Sequence, residues 1–154
     1  MKPIRVVVDT NVFIDAIFHN ENSCQSIFRY KNDKLITFCM NETMYKELIL
    51  IFGRLLEKNK LTKDMSRLVS YFGGTLWEIE KIEHNTKTNY CKEDAEDNKF
   101  VDCCIDGRIT YLITSDMHIR EVTKDLEEIQ EKYGLKLKIM SPFQFSKELL
   151  KLKY

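Results

Sequence analysis

Four short runs of mainly apolar residues constrain the fold of this chain more than any other feature. They are IRVVV at 4–8, LITFCM at 35–40, TYLIT at 110–114 and LKIM at 137–140. Runs of this length, rich in β-branched side chains, are typical of strands buried on both faces of a sheet. Residues 77–82 alternate between apolar and charged side chains, and this alternation predicts a further, half-exposed strand.

Helix patterns separate these strands almost without exception. Asn41 and Thr62 are suitable N-caps, and the pair Ser141-Pro142 is a strong helix start. Helices are predicted at 11–18, 23–30, 41–58, 62–74, 95–105 and 122–132, and from 142 onward, while the polar segment 84–93 is predicted to be a loop. The regular alternation of strands and helices predicts an α/β sandwich with a mainly parallel central sheet.

The bulk properties favour one ordinary globular domain of 154 residues with no net charge. A neutral chain is not a general nucleic-acid binder, so any RNA would have to be bound through a local patch and through metal ions. No apolar stretch is long enough for a signal peptide or a membrane span. We therefore expect a cytoplasmic protein.

The five cysteines are too few and too scattered to predict a metal site. They form no Cys-x-x-Cys pair, and the three histidines lie far from one another in the sequence. We expect them to be reduced, buried side chains that pack like small apolar residues. They are Cys24, Cys39, Cys91, Cys103 and Cys104.

Two acids follow predicted strands directly. Asp9 comes after VVV, and Asp116 comes after LITS. Taken singly, each is simply interpreted as a helix N-cap. Parallel sheets, however, bind ligands beyond the carboxyl ends of their strands, and two carboxylates at one edge repel each other unless a cation lies between them. Mg²⁺ and Mn²⁺ are the hard cations that prefer such oxygen ligands.

Further acids lie on the predicted helices. Asp97 lies at the start of its helix, on the edge that faces inward, while Glu47 lies at the margin of an apolar face. An ordinary exposed helix acid is the alternative interpretation of Glu47, and a favourable charge at a helix N-terminus is that of Asp94. Asp102 and Asp106 lie far enough around the helix to be predicted as solvent-exposed.

Four segments, in this order, resemble the PIN domain family, the PilT N-terminal type nuclease domains. They are VVVDTNVFIDA, YKELILIF, DAEDNKFVDCC and YLITSDMHI. The likeness is greatest to the toxin components of toxin–antitoxin systems, whose closing strand and helix resemble KIMSPFQF. It extends from Ile4 to about Leu150, so the chain is interpreted as a single PIN-like nuclease domain over 1–154. Each motif alone is weak, but the ordered set is specific.

The resemblance implies a three-layer α/β/α sandwich and a ribonuclease that cleaves single-stranded RNA with one or two Mg²⁺ or Mn²⁺ ions. Asp9, Glu47, Asp97 and Asp116 would be its catalytic, metal-binding acids. Residues expected to bind substrate or to orient these acids are Thr10, Asn11, Asp94 and Ser115. Ser115 stands where glycine is common in the toxin branch, and His118 stands where other branches often have an acid.

The resemblance also implies partners. These are a small antitoxin protein, whose disordered segment folds on binding, and a second copy in a homodimer. RNA would need basic residues near the acids, and Lys87, Lys92 and Lys99 are close in sequence. The alternative is that these three are ordinary solvated lysines.

Three other functions share parts of this pattern. A phosphoacceptor receiver domain would need a second acid beside Asp9 and a lysine after a later strand, and neither is evident. A non-catalytic PIN-like protein-interaction module would keep the fold without binding metal. A related metallonuclease acting on DNA would be separated by comparing RNA and DNA oligonucleotides as substrates.

Overall fold

A computed structural model describes residues 2–153 of the chain. The five strands are β1 (Ile4–Val8), β2 (Ile36–Met40), β3 (Glu80–Lys81), β4 (Tyr111–Ile113) and β5 (Lys138–Met140). They form one sheet in the order β3-β2-β1-β4-β5, and every pair of neighbours is parallel. Val6, Val7 and Val8 of the central strand β1 are buried on both faces, as a parallel sheet covered by helices requires.

Residues 2–153 also contain eight α-helices. They are α1 (Thr10–Phe18), α2 (Asn22–Asn32), α3 (Glu42–Lys58), α4 (Lys63–Thr75), α5 (Asn98–Gly107), α6 (Met117–Arg120), α7 (Leu126–Tyr133) and α8 (Pro142–Lys153). Asn41 caps α3, Thr62 caps α4 and the Ser141 hydroxyl accepts from the first turn of α8. None of these helices is both long and apolar enough to cross a membrane.

The direction of the crossovers produces three layers. The chain moves outward from β1 to β2 and β3, and then returns to β4 and β5 on the other side of β1. Right-handed crossovers in opposite directions place their helices on opposite faces of the sheet. Helices α1 to α4 therefore cover one face and α5 to α7 the other, while α8 packs against α2. The predicted α/β/α sandwich is confirmed.

This topology creates a switch point between β1 and β4, where the strand order reverses. Val8 pairs with Ile113, and the Asp9 N–H donates to the Ile113 carbonyl at 2.9 Å. The residues that follow these two strands therefore meet at the carboxyl edge of the sheet. In open α/β folds this crevice is where ligands bind.

Three predicted elements differ from the structure. The helix predicted over 95–105 is divided into the 3-10 helix Ala95–Asp97 and α5. In the segment predicted as a strand over 77–82, only Glu80–Lys81 pairs with β2, and Leu76–Glu78 is a 3-10 helix. As an edge strand, β3 has a single neighbour to fix its length. The helix predicted over 122–132 is also divided, into the 3-10 helix Glu121–Asp125 and α7.

The core contains an aromatic cluster beside the sheet. Phe13 lies 5.2 Å from Phe38, 5.1 Å from Phe72 and 5.7 Å from Phe28, measured between ring centroids. All five cysteines are buried free thiols, which confirms their interpretation as packing residues. Burial raises the pKa of each of these thiols, so they are poor nucleophiles.

Candidate active site

Asp9 is buried at the switch point with only 3% of its surface exposed. Its carboxylate accepts hydrogen bonds from the Thr114 hydroxyl at 2.9 Å and from the Asn11 N–H at 3.4 Å. Burial raises the pKa of Asp9 to about 6, although these hydrogen bonds act in the opposite direction. The negative charges of Asp97 and Asp116 raise the pKa of Asp9 further. Asp9 is thus the N-cap of α1 and also a member of an acidic group whose negative charges repel one another.

Asp116 lies opposite, just beyond β4. Its carboxylate accepts from the His118 N–H at 2.8 Å and so caps α6. Its own N–H donates to the hydroxyl of Thr114, which in turn donates to Asp9. The interpretation of Asp116 as a helix N-cap is therefore correct. The same contacts also tie both acids to one hydroxyl.

Thr114, and not its predicted neighbour Ser115, is the hydroxyl residue that contacts Asp9. Thr114 is fully buried, whereas Ser115 is exposed. A hydroxyl at the end of a buried strand needs a hydrogen-bond partner, and this requirement was the one signal that could have identified it. Its partner, Asp9, lies 105 positions away in the sequence.

Asp97 lies at the junction between the 3-10 helix Ala95–Asp97 and α5. Burial raises the pKa of Asp97 to about 6, and the charges of Asp94, Asp116 and Glu47 act in the same direction. Lys99 opposes them. Because Asp9 and Asp97 each interact with Asp116, the three carboxylates form one group. The structure thus brings together acids that are more than 100 positions apart.

Glu47 is joined to this group through a lysine. Its two oxygens accept from the Lys99 ammonium at 3.0 Å and from the Thr10 hydroxyl at 3.0 Å. Lys99 is only 5% exposed and also donates to the Glu96 carbonyl at 2.9 Å. The solvated interpretation of Lys99 is therefore wrong, because the lysine is a buried cation beside the acids.

The remaining predicted residues lie nearby with different contacts. Thr10 is buried and contacts Glu47, as described above. The Asn11 side chain is exposed, and only its backbone N–H contacts Asp9. Asp94 is exposed and accepts from the Glu96 N–H at 3.0 Å. Lys87 and Lys92 are exposed.

Asp102 and Asp106 are not free in solvent, which corrects their prediction. Asp102 is buried and accepts from the Thr88 N–H at 2.8 Å, the Thr88 hydroxyl at 2.7 Å and His84 Nε2 at 3.0 Å. Asp106 accepts from the Thr86 N–H at 3.0 Å. These acids fasten the loop 84–93 to α5, and that loop covers the helix face that the helical wheel had placed outward.

The acidic group has the donor chemistry for a hard cation but is not arranged as a finished metal site. Within residues 2–153, no three His, Cys, Asp or Glu side chains lie in the positions that a metal ion requires. The oxygens of Glu47 are engaged by Lys99 and Thr10. Asp9, Asp97 and Asp116 nevertheless crowd negative charge at one edge, and a divalent cation would relieve that repulsion.

A cleft of about 1050 Å³ opens at the same edge of the sheet, beyond β2 and β3. None of the four predicted acids lines it. Its wall includes Asn41, whose amide donates to the Lys99 carbonyl at 3.1 Å, and His84, which holds Asp102. The cleft therefore lies beside the acids, on the far side of the start of α5.

Comparison with known proteins identifies the family. Similar solved structures include PAE2754 from Pyrobaculum aerophilum, with a TM-score of 0.55 at 12% identity over 96% of this chain and 90% of that one. They also include VapBC2 from Rickettsia felis bound to a DNA fragment from their promoter, with a TM-score of 0.49 at 15% identity over 88% and 98%. No curated protein matches. The PIN domain family matches residues 5–118, and the chain therefore belongs to that family.

Proposed function

We propose that this PIN domain protein is a divalent-metal-dependent endoribonuclease that cleaves single-stranded RNA. The crowding of Asp9, Asp97 and Asp116 at the switch point carries the proposal, since burial and mutual repulsion raise the pKa of two of them to about 6. One nuclease domain over 1–154, acting in the cytoplasm, is part of the same proposal. Folded proteins bring like-charged side chains together, against their mutual repulsion, mainly at functional sites.

The carboxylates of Asp9, Asp97 and Asp116 would hold one or two Mg²⁺ or Mn²⁺ ions, with Glu47 as a fourth ligand or as the base that orients water. When bound, the metal would supply Lewis-acid activation of the attacking water and would neutralise charge on the phosphate. For Glu47 to become a ligand, its ion pair with Lys99 would have to open. Ser115, Asn11 and Asp94 would orient substrate or acids from the exposed rim.

The residues of the chain would position these groups. Thr114 orients Asp9 and fixes the backbone at Asp116, so strand β4 sets the separation of the two acids. Thr10 and Lys99 fix the two oxygens of Glu47. The buried Lys99 ammonium is a fixed positive charge beside the acids, since it lowers the pKa of Asp97. Because water rather than the ribose 2′-hydroxyl attacks, the products should carry a 5′-phosphate and a 3′-hydroxyl.

The proposal is tested with end-labelled single-stranded RNA in Mn²⁺, in Mg²⁺ and in chelator. We expect cleavage in metal that disappears in chelator and in the Asp9→Asn/Asp116→Asn protein. Asp64→Asn, at an exposed acid of α4, is the matched control and should cleave like the wild type. Cleavage that persists in chelator, or in a folded double variant, would contradict the proposal.

The same assay separates the alternatives. DNA of the same sequence, cleaved in preference to RNA, would indicate a metallonuclease acting on DNA. An absence of cleavage together with an absence of Mn²⁺ binding, in a protein shown to be folded, would favour the interaction module.

We further propose that the protein is the toxin of a toxin–antitoxin pair and forms a homodimer. The support is the likeness of its motifs, including the closing KIMSPFQF, to that branch of the family. An antitoxin segment that folds over the acidic group would block cleavage. Growth arrest on expression, relieved by the Asp9→Asn/Asp116→Asn substitutions, is the expected result in cells.

A further inference from the structure

Phe143 is an exposed aromatic residue that the core does not need. It lies in the first turn of α8, with 59% of its surface exposed. The same helix buries Phe145 and Leu149 against the sheet layer, so packing is served by other side chains. A single exposed apolar side chain is common on protein surfaces, so the position of Phe143 and its neighbours must carry the argument.

Register places Phe143 at the edge of the sheet that carries the acids. Ile113 of β4 pairs with Met140 of β5, and Asp116 and Phe143 each follow three residues later. Neighbouring strands lie about 4.8 Å apart, so these two segments leave the sheet side by side. The contact from Arg120 to Gln144 at 3.4 Å holds α6 against the start of α8.

Basic and apolar side chains surround Phe143, so the site suits a ligand that has both a negatively charged group and an apolar surface. The Lys147 ammonium, one helical turn away, lies over one face of the ring at 4.7 Å from its centroid, so a base would stack on the opposite face. Arg120 is tied to Gln144, the residue that follows Phe143. The nearby acid Glu148 is engaged by Lys138 at 3.2 Å. Exposed Met117, directly after Asp116, adds apolar surface. Because the chain has no net charge, RNA binding would have to come from a local basic and aromatic patch of this kind.

We propose that Phe143 is a stacking platform for one unpaired base of the RNA, with Lys147 and Arg120 binding the adjacent phosphates. This rests on the proposed function, because the platform serves the strand that the acids cleave. Aromatic side chains bind single-stranded nucleic acid by stacking on bases, without sequence preference. Bases in a duplex are already stacked on each other, so the platform selects single strands.

Binding is measured apart from cleavage in the Asp9→Asn/Asp116→Asn background, by the anisotropy of a fluorescein-labelled single-stranded RNA. We expect Phe143→Ala to weaken binding by about 5- to 100-fold, the range for loss of one stacked base. Leu150→Ala, which removes another apolar side chain that is 58% exposed on the same helix, is the control and should bind normally. Phe143→Tyr should keep most of the affinity.

A fluorescent reporter tests stacking directly. The chain has one tryptophan, Trp77, which is 91% exposed at the other side of the sheet. In the Trp77→Phe/Phe143→Trp protein the only indole lies at the platform, so poly(U) should quench its emission to saturation. Trp77→Phe/Leu150→Trp should show no such quenching, and duplex RNA should quench neither protein.

Normal RNA binding by Phe143→Ala, together with no quenching of the tryptophan at 143, would overturn the proposal. A wild type that sediments as a dimer and becomes a monomer on Phe143→Ala, with RNA binding unchanged, would also overturn it and assign the surface to self-association. Failure of the platform leaves metal-dependent cleavage intact. Failure of cleavage, with binding still dependent on Phe143, would instead refute the proposed nuclease.

Discussion

Lys99 is the residue whose environment departs most from what its type suggests. A lysine that is 5% exposed needs a negative partner, and Glu47 supplies one at 3.0 Å. Lys99 also lowers the pKa of Asp97, against the effect of the other acids. Its ammonium therefore acts as a fixed counter-charge for the acidic group when no metal is bound.

We expect Lys99→Met to reduce RNA cleavage by about 10- to 100-fold, the usual cost of losing a residue that orients metal-binding acids, because Glu47 loses the cation that fixes it. The free energy of unfolding should fall by about 1–3 kcal/mol, since Glu47 keeps its charge without its partner. Cleavage kinetics in Mn²⁺ and urea unfolding measure the two effects.

Lys99→Arg should restore part of the activity, because it keeps the charge. Glu57→Gln, at an exposed acid of α3, should change neither quantity and controls for loss of a distant charge. Wild-type kcat/KM in the Lys99→Met protein would show that the lysine has only a structural role.

At the scale of elements, α5 organises the site through its N-terminal end and its outer face. Its N-terminal end carries Asp97 and Lys99, while Asp102 and Asp106 on its outer face hold the loop 84–93. This loop runs directly into the segment that carries Asp94 and Asp97. The loop therefore limits how far the start of α5 can move.

Replacing Asp102 with alanine should release this loop. Two donors of Thr88 and the ring of His84 would lose their acceptor, so we expect a loss of about 2–4 kcal/mol in the free energy of unfolding. Amide hydrogen exchange should accelerate most at 84–90. Asp64→Ala, the control, removes an exposed acid from the first turn of α4, so it should cost less than about 1 kcal/mol and should not change the exchange of the loop. Unchanged exchange in the loop would mean that other contacts hold it.

The regular elements could be predicted from the sequence because their causes are local. Asn41, Thr62 and Ser141 cap helices through hydrogen bonds that span only three residues, and each cap is where it was expected. The length of β3 could not be predicted, because it depends on its single neighbour β2, about 40 residues earlier.

The acids at strand ends were also predictable, but their partners were not. A helical wheel gives the direction of a side chain and not what covers it, so it predicts Asp102 in solvent. The solvated alternative for Lys99 is wrong for the same reason. Thr114 was missed for the same reason, since its hydrogen bond to Asp9 joins two distant strands. Side-chain partners at the site come from long-range packing, which no local pattern encodes.

At the scale of the whole molecule, folding brings Asp9, Asp97 and Asp116 together against their mutual repulsion. The group costs free energy in the metal-free protein, because Asp9 is buried and its pKa is raised to about 6 from an ordinary value of 3.8. Between these two pH values the folded state keeps a proton on Asp9 that the unfolded state has largely released. The contribution of Asp9 to the free energy of unfolding is therefore complete below pH 4 and is lost as the pH rises through 6.

The metal-free Asp9→Asn protein should consequently be more stable than the wild type at pH 7, by about 1–3 kcal/mol, and should lose this advantage near pH 4. An asparagine keeps the size of the side chain and can still bond to Thr114. Urea unfolding in chelator, at a series of pH values, measures the difference. Asp64→Asn should follow the wild type at every pH. An Asp9→Asn protein that is less stable at pH 7 would show that the carboxylate is stabilised by contacts that outweigh its burial.

A divalent cation should reverse this order, because it converts repulsion among the carboxylates into shared coordination. At pH 7 we expect Mn²⁺ to raise the Tm of the wild type and to leave that of Asp9→Asn nearly unchanged. At pH 5 the gain should shrink, since protons compete for the same oxygens. Calorimetry of both proteins, in Mn²⁺ and in chelator, gives the comparison. Equal gains in both would place the bound ion elsewhere on the molecule, whereas a gain confined to the wild type would tie the instability of the acidic group to its capacity to bind metal.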